Sequence, residues 1–371
     1  MLKSSQKLVA LMMALAVMVS TAACSTDKSW ALKNDSFTAP IGTYIYYLYY
    51  SYQDADSKKP DASKPVLGQK IDGKDAEAYI KEKALNYTKM LFVINDKMKE
   101  LGLTLSADDN KTIQSTTDSQ WQQASTTLEK YGVSKNSFQM VYADYSIKNQ
   151  KIFNALYGKN GKKAVSDADL KAYFEKNFTD FNYIYTPMYT TKTDGTSVAK
   201  TDAEKAALKK ELDGYAADIK AGKKTMQQAA DAFKASSKQT TDQLHSDTAA
   251  LDSSSSYPAE MVTLLKAMKP GEVKTAEISG TYMILAKNDI AKKTADELGQ
   301  EAKRNSLLAQ CKGEEYSADM EKLAAAYTNV TVNQAALDSY KPSMFYTPSS
   351  APASTASTAS KAASSAAASS K

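Results

Sequence analysis

The chain has 371 residues, 47 basic and 42 acidic side chains, a formal net charge of +5, one histidine and two cysteines. That length suits two or three domains with ample core material, while so little histidine and cysteine excludes a disulfide scaffold, a metal centre built on those ligands, and any Ser-His-Asp set not based on His245. Nearly all the basic charge is lysine, Arg304 is the only arginine, and no basic cluster is interleaved with aromatics, so no nucleic-acid partner is expected.

Lys3 and Lys7 precede an apolar run from Leu8 to Val19 and then Thr21-Ala22-Ala23-Cys24. A run this short reads as a secretion signal over residues 1–23, because spanning the bilayer core takes about 20 apolar residues. Cys24 after small residues looks like a bacterial lipobox. That implies cleavage before it, lipidation of its sulfur by diacylglycerol and an acyl chain such as palmitate, and residence on the extracytoplasmic face of the cell membrane. Residues 24–35 form the expected anchor linker. Tyrosine then fills six of nine positions from Tyr44 to Tyr52. Ile41, Ile45, Leu48 and Tyr52 share a helical face, which leaves Tyr46, Tyr49 and Tyr50 elsewhere on the circumference as candidate peptide contacts. The polar stretch Gln53 to Lys64 reads as a loop.

From Asp75 to Leu101, apolar residues Ile80, Ala84, Tyr87, Leu91, Ile94, Met98 and Leu101 alternate in steps of four and three, which predicts a long helix that Gly102 ends. Ser106 with Asp109 is a capping-box start for the next helix, carried by Trp121, Ala124 and Leu128. Phe138 through Leu156 mark a fourth helix, and Ser166 begins a fifth. Residues 36–179 are therefore read as an all-helical N-terminal domain.

Phe181 to Thr186 alternates as a strand, Thr201 with Glu204 caps a helix ended by Gly222, and a short helix holds Met226, Ala229 and Phe233. His245 and the Ser/Asp-rich residues after it read as a loop. A helix carrying Met261, Leu264, Leu265 and Met268 stops at Pro270-Gly271, and strands Val273–Ile278 and Tyr282–Ala286 meet at a Ser279-Gly280 turn. Beyond Asp289 lies a helical segment with an expected break at Gly313, Cys311 as a small core residue rather than a reactive thiol, and a short strand at Val330–Val332. Residues 347–371, almost all Ser, Ala, Thr, Pro or Lys, read as a disordered tail.

Strand, long helix, short helix, loop, helix, strand, strand, with Gly271-Glu272-Val273 and a last strand led by Gly280, resembles a parvulin-type prolyl isomerase domain over 180–290. The phrase VSDADLKAYFEKNF before it resembles the helix that leads into the isomerase domain of PrsA/SurA-type foldases. The resemblance implies an α+β fold. Its helical N-terminal and C-terminal segments (36–179 and 291–346) form a SurA-like chaperone domain with the α/β domain inserted between them. It also implies unfolded or partly folded secreted proteins as partners, and it leaves a homodimer open. Family pockets place histidines on the first and last strands. Here those positions fall on Tyr183 and Tyr282, and the usual pocket phenylalanine falls on Met261. Tyrosine cannot take over histidine's protonation chemistry near neutral pH, so a degenerate pocket with weak or lost isomerase activity is expected. Phosphate-cradling glycine loops and calcium-type acidic loops are absent from the sequence, and no cofactor or metal is expected. The alternative is a non-catalytic surface lipoprotein that binds a small ligand or a cell-wall component.

Overall fold

A computed structural model describes residues 28–252 and 255–347. The signal segment, Cys24 and the tail from residue 348 on lie outside the described residues. The chain is α+β, with helices accompanied by small antiparallel sheets. In order it forms β1 (Trp30–Lys33), β2 (Thr38–Pro40), α1 (Ile41–Lys58), β3 (Lys70–Ile71), β4 (Lys74–Asp75), α2 (Ala76–Glu100), α3 (Ala107–Lys130), α4 (Lys135–Gln139), a π-helical turn (Met140–Asp144), α5 (Tyr145–Tyr157) and α6 (Asp167–Asn177). Then follow β5 (Phe178–Pro187), β6 (Tyr189–Thr191), β7 (Ser197–Ala199), α7 (Asp202–Lys220), α8 (Met226–Ser236), β8 (His245–Ala250), α9 (Ala259–Ala267), β9 (Val273–Ile278) and β10 (Thr281–Lys287). The chain closes with α10 (Ala291–Gly299), α11 (Glu301–Ala325), β11 (Thr331–Val332), α12 (Gln334–Asp338) and a 3₁₀ turn (Pro342–Phe345).

The chain divides into two compact units: 28–99 with 104–148 and 323–347, and 100–103 with 149–322. In the first unit, β1 lies between β2 and β11, with Leu32 opposite Val332, so strands about 300 residues apart in sequence share one small sheet. The core is the predicted stripe of α1 (Ile45, Leu48, Tyr52) packed with Ile80, Ala84 and Leu91 of α2, with Phe138 and Val141, and with Phe345. Helix α1 runs on to Lys58 through residues read as loop, because Ala55 is fully buried and Asp54 pairs with Lys58 one turn later at 3.2 Å. Gly42 permits close approach of α1 to α4: a Cβ there would lie 2.5 Å from Ser137 Oγ. Helix α3 carries the expected capping box, with Ser106 Oγ accepting from the Asp109 N–H at 3.1 Å and Asp109 Oδ2 accepting from the Ser106 N–H at 2.7 Å. Caps of this kind contribute about 1 kcal/mol each.

The second unit holds a four-stranded antiparallel sheet in the order β8-β5-β10-β9. Ser279 and Gly280 both take positive φ, 50° and 74°, in the β9–β10 turn, a backbone conformation suited to a tight hairpin. Helix α7 has its predicted capping box between Thr201 and Glu204, and α8 has another between Thr225 and Gln228. One face of the sheet packs Ile184, Tyr282 and Ala286 against Leu212 and Ala216 of α7 and Phe233 of α8; the other packs Phe181, Met283 and Leu285 against Met261 and Leu265 of α9. Beside it, Arg304 of α11 is buried, donating to Asp167 Oδ1 at 2.9 Å and to the Val165 carbonyl at 3.1 Å. Helix α11 passes through Gly313 without the expected break. A lone glycine costs a helix only about 1 kcal/mol, and buried Leu307, Leu308, Tyr316 and Met320 continue the apolar stripe on both sides of it. The interruption falls instead at Gln300, between α10 and α11. Cys311 is half-buried, and burial pushes its thiol pKa up, which makes it a poor nucleophile.

Candidate functional site

Strand β5 organises the site. Its alternation places Phe181, Tyr183 and Tyr185 on one face, with ring centroids 6.0 Å apart at each step. The lateral neighbours of Tyr183 are His245 on β8 and Leu285 on β10, while Tyr185 lies beside Met283. His245 thus stands in a strand, not the loop expected from the sequence. The segment His245–Ala250 is Ser/Asp/Ala-rich and lacks any local strand pattern, and it is held extended by backbone pairing to β5 along its whole length. Its imidazole stacks on Tyr183 at 4.9 Å and lies 5.1 Å from the Tyr185 ring.

Tyr257, in the segment leading to α9, closes the cluster. Its ring meets Phe181 edge-on at 5.2 Å and Tyr183 at 6.4 Å, and its hydroxyl donates to Asp247 Oδ2 at 2.5 Å. Burial raises the pKa of the Tyr183 and Tyr257 phenols, and for Tyr257 the Asp247 carboxylate raises it further, so both stay neutral near pH 7. Tyr185 remains 39% exposed at the open side of this face. The result is a row of aromatic rings running from buried Phe181 to exposed Tyr185, with one imidazole beside it and methionine and leucine beneath. It offers apolar contact and hydrogen bonds but no nucleophile.

The three residues aligned with the family pocket do not come together. Tyr183 and Met261 belong to the face just described, and Met261, only 2% exposed, is a floor residue in the core. Tyr282 faces the other way. It lies opposite Thr186, its ring packs in the α7–α8 core, and its hydroxyl donates to Asp213 Oδ1 at 2.7 Å, an oxygen that also accepts from Thr275 at 2.8 Å. Lys209 sits 5.5 Å from that ring centre while paired with Glu277. A one-residue difference in strand register moves a side chain to the opposite face, and Met283, not Tyr282, shares the face of Tyr183. Tyr185, Tyr257, His245 and Asp247 were not singled out as site members by sequence. For Tyr185 the signal was present in the period-two spacing from Phe181; for the others it required knowledge of how β8 pairs.

In the first unit, Tyr46, Tyr49 and Tyr50 have three different environments. Tyr49 packs on Tyr131 at 5.6 Å and Phe345 at 5.3 Å, Tyr46 is half-buried against Phe138 at 6.0 Å, and Tyr50 is 54% exposed beside Tyr87. Among the described residues no group of histidine, cysteine, aspartate and glutamate could hold a metal ion, and no helix is long and apolar enough to cross a membrane.

No protein-family model and no curated protein matches the chain. Solved structures similar to it include foldase protein PrsA from Lactococcus lactis, at 16% identity and a TM-score of 0.36, covering 84% of this chain and 97% of that one. PrsA from Streptococcus pneumoniae is 13% identical with a TM-score of 0.36, covering 70% of this chain and 88% of that one. PrsA from Bacillus subtilis is 16% identical with a TM-score of 0.29, covering 69% and 88%.

Proposed function

We propose that this chain is an extracytoplasmic foldase-type chaperone, anchored to the membrane through Cys24, that holds segments of unfolded secreted polypeptides without efficient prolyl isomerisation. In this scheme residues 36–179 and 291–346 form the chaperone domain and 180–290 a degenerate parvulin-like domain. The observation that carries the reading is the open aromatic face of the second unit, where Tyr183, Tyr185, His245 and Tyr257 stand over Met261 and Met283. Amphipathic rings give large contact area and tolerate varied hydrogen bonding, and methionine beneath them adapts its shape, which suits a surface that must accept many sequences. The peptide-bond barrier is about 18–20 kcal/mol, and lowering it takes a pocket that grips proline and eases the amide out of conjugation. With one imidazole on this face, Tyr282 on the other and Met261 in the core, isomerase activity is weak or absent.

The test is suppression of aggregation of two unrelated unfolded proteins by the full chain, run beside a proline-peptide isomerisation assay. Protection of both clients, with isomerisation near background, supports the proposal. A dedicated binder of a small ligand or cell-wall component protects neither at excess, and that result ends the chaperone reading.

A further inference from the structure

The first unit contains a second cluster of aromatic rings. Tyr46, Tyr47 and Tyr50 of α1, Tyr87 of α2 and Tyr145 of α5 surround an open cavity of about 220 Å³. Met90 and Val141 complete its lining. The rings stand as walls: Tyr46 and Tyr47 meet at 74° with centroids 5.6 Å apart, and Tyr50 and Tyr87 at 69° with centroids 5.9 Å apart. The π-helical turn adds a residue to the helical repeat just before Tyr145 and carries Val141 itself, so an irregular helix shapes one side of the cavity.

No lining residue is an acid or a base of the Asp, Glu, Lys, Arg or His type. Burial, with smaller contributions from Tyr142 and Tyr50, pushes the Tyr46 hydroxyl up to about 12, and burial raises Tyr47 well above its ordinary value. A box of neutral electron-rich rings attracts a cation through their faces without requiring a carboxylate. One of these rings already serves a cation: Lys83 Nζ lies 5.7 Å from the Tyr87 ring centre, its charge matched by Asp54 at 2.7 Å.

We propose that this cavity binds the trimethylammonium group of a small quaternary amine. Its size fits one such headgroup rather than a length of peptide. The proposal is independent of the chaperone reading, because it is measured with no client present.

The experiment is calorimetric titration of the full chain with tetramethylammonium, choline, and 3,3-dimethylbutan-1-ol, the neutral isostere of choline. Choline is expected to bind about tenfold more tightly than the isostere, in line with a desolvated cation–π contribution. Tyr50→Leu, at a position exposed enough to leave the fold intact, weakens choline about fivefold, while Tyr50→Phe, which keeps the ring face, stays within about twofold. Equal binding of choline and its isostere, or no change on Tyr50→Leu, overturns the proposal. Displacement of bound choline by phosphatidylcholine vesicles, and not by phosphatidylglycerol vesicles, assigns the group to a lipid headgroup; absence of displacement assigns it to a free amine.

Discussion

Tyr282→Phe separates the two faces of the four-stranded sheet. The substitution keeps the ring in the α7–α8 core and removes only the hydroxyl that donates to Asp213 at 2.7 Å. A hydrogen bond to a charged group contributes about 1.5–3 kcal/mol, and orphaning a buried charged partner costs more. Asp213 is exposed and keeps the Thr275 hydroxyl at 2.8 Å, so no buried charge is stranded. The expected cost is therefore about 1 kcal/mol, the usual net value of one hydrogen bond, which moves a urea midpoint by roughly 0.3–1 M for an m-value of about 1–3 kcal/mol/M. Client protection should not change, since the hydroxyl points away from Tyr183 and Tyr185. Tyr185→Ser should do the reverse, with stability within about 0.5 kcal/mol of the parent as for most exposed sites and clearly weaker protection. The pair is read by urea unfolding and by aggregation of a denatured client at matched folded protein. Loss of protection in Tyr282→Phe that equals or exceeds the loss in Tyr185→Ser refutes the assignment of the faces.

Two further outcomes test the first unit. Gly42→Ala places a methyl 2.5 Å from Ser137 Oγ and 2.9 Å from Ser137 Cβ, and overpacking of that kind costs about 1–3 kcal/mol; the double variant Gly42→Ala with Ser137→Gly should recover most of the lost thermal midpoint, and failure to recover removes the clash as the cause. Asp54 is partly buried, which raises its pKa, but hydrogen bonds from Lys83, Tyr79 and Lys58 outweigh this and hold the carboxyl below its ordinary range. Its contribution to stability is complete above the unfolded-state value of about 3.9 and is lost as the pH falls from there through the lowered folded value. Asp54→Asn should flatten the acid side of the stability profile below about pH 4 while leaving its shape at pH 6–8 unchanged, and an unaltered acid slope in urea titrations contradicts this.

Local signals made the helices legible. Ser106 with Asp109 and Thr201 with Glu204 close their capping boxes within four residues, and the alternating stripe from Ile80 to Met98 needs only one helix to be seen. The strands at 181–186, 273–278 and 282–286 followed from one alternating run, two β-prone runs and a Ser-Gly turn, while the α+β class was implied by the family resemblance. What escaped was structure imposed from far away in the chain. Strands β1 and β2 exist through pairing with each other and with β11, the one of the three that the sequence announces, and β8 through pairing with β5, so nothing within Trp30–Lys33 or His245–Ala250 announces a strand. Strand parity had the same effect at the site: aligning the last strand by its glycine placed Tyr282 in the pocket, and only the register of β10 on β5 reveals that it faces α7. Gly313 and the Asp54–Lys58 turn show the converse, helix-weakening or polar residues carried along by buried neighbours.

The central claim, that client chains lie on the aromatic face of the second unit, is tested most directly by site-specific crosslinking. A photoreactive phenylalanine in place of Tyr185, on that face, and in a second variant in place of Lys209, beside Tyr282 on the opposite side, is irradiated with an unfolded secreted protein. The account predicts client crosslinks from position 185 and none above background from position 209. Crosslinks of equal yield from both positions, or from position 209 alone, contradict it.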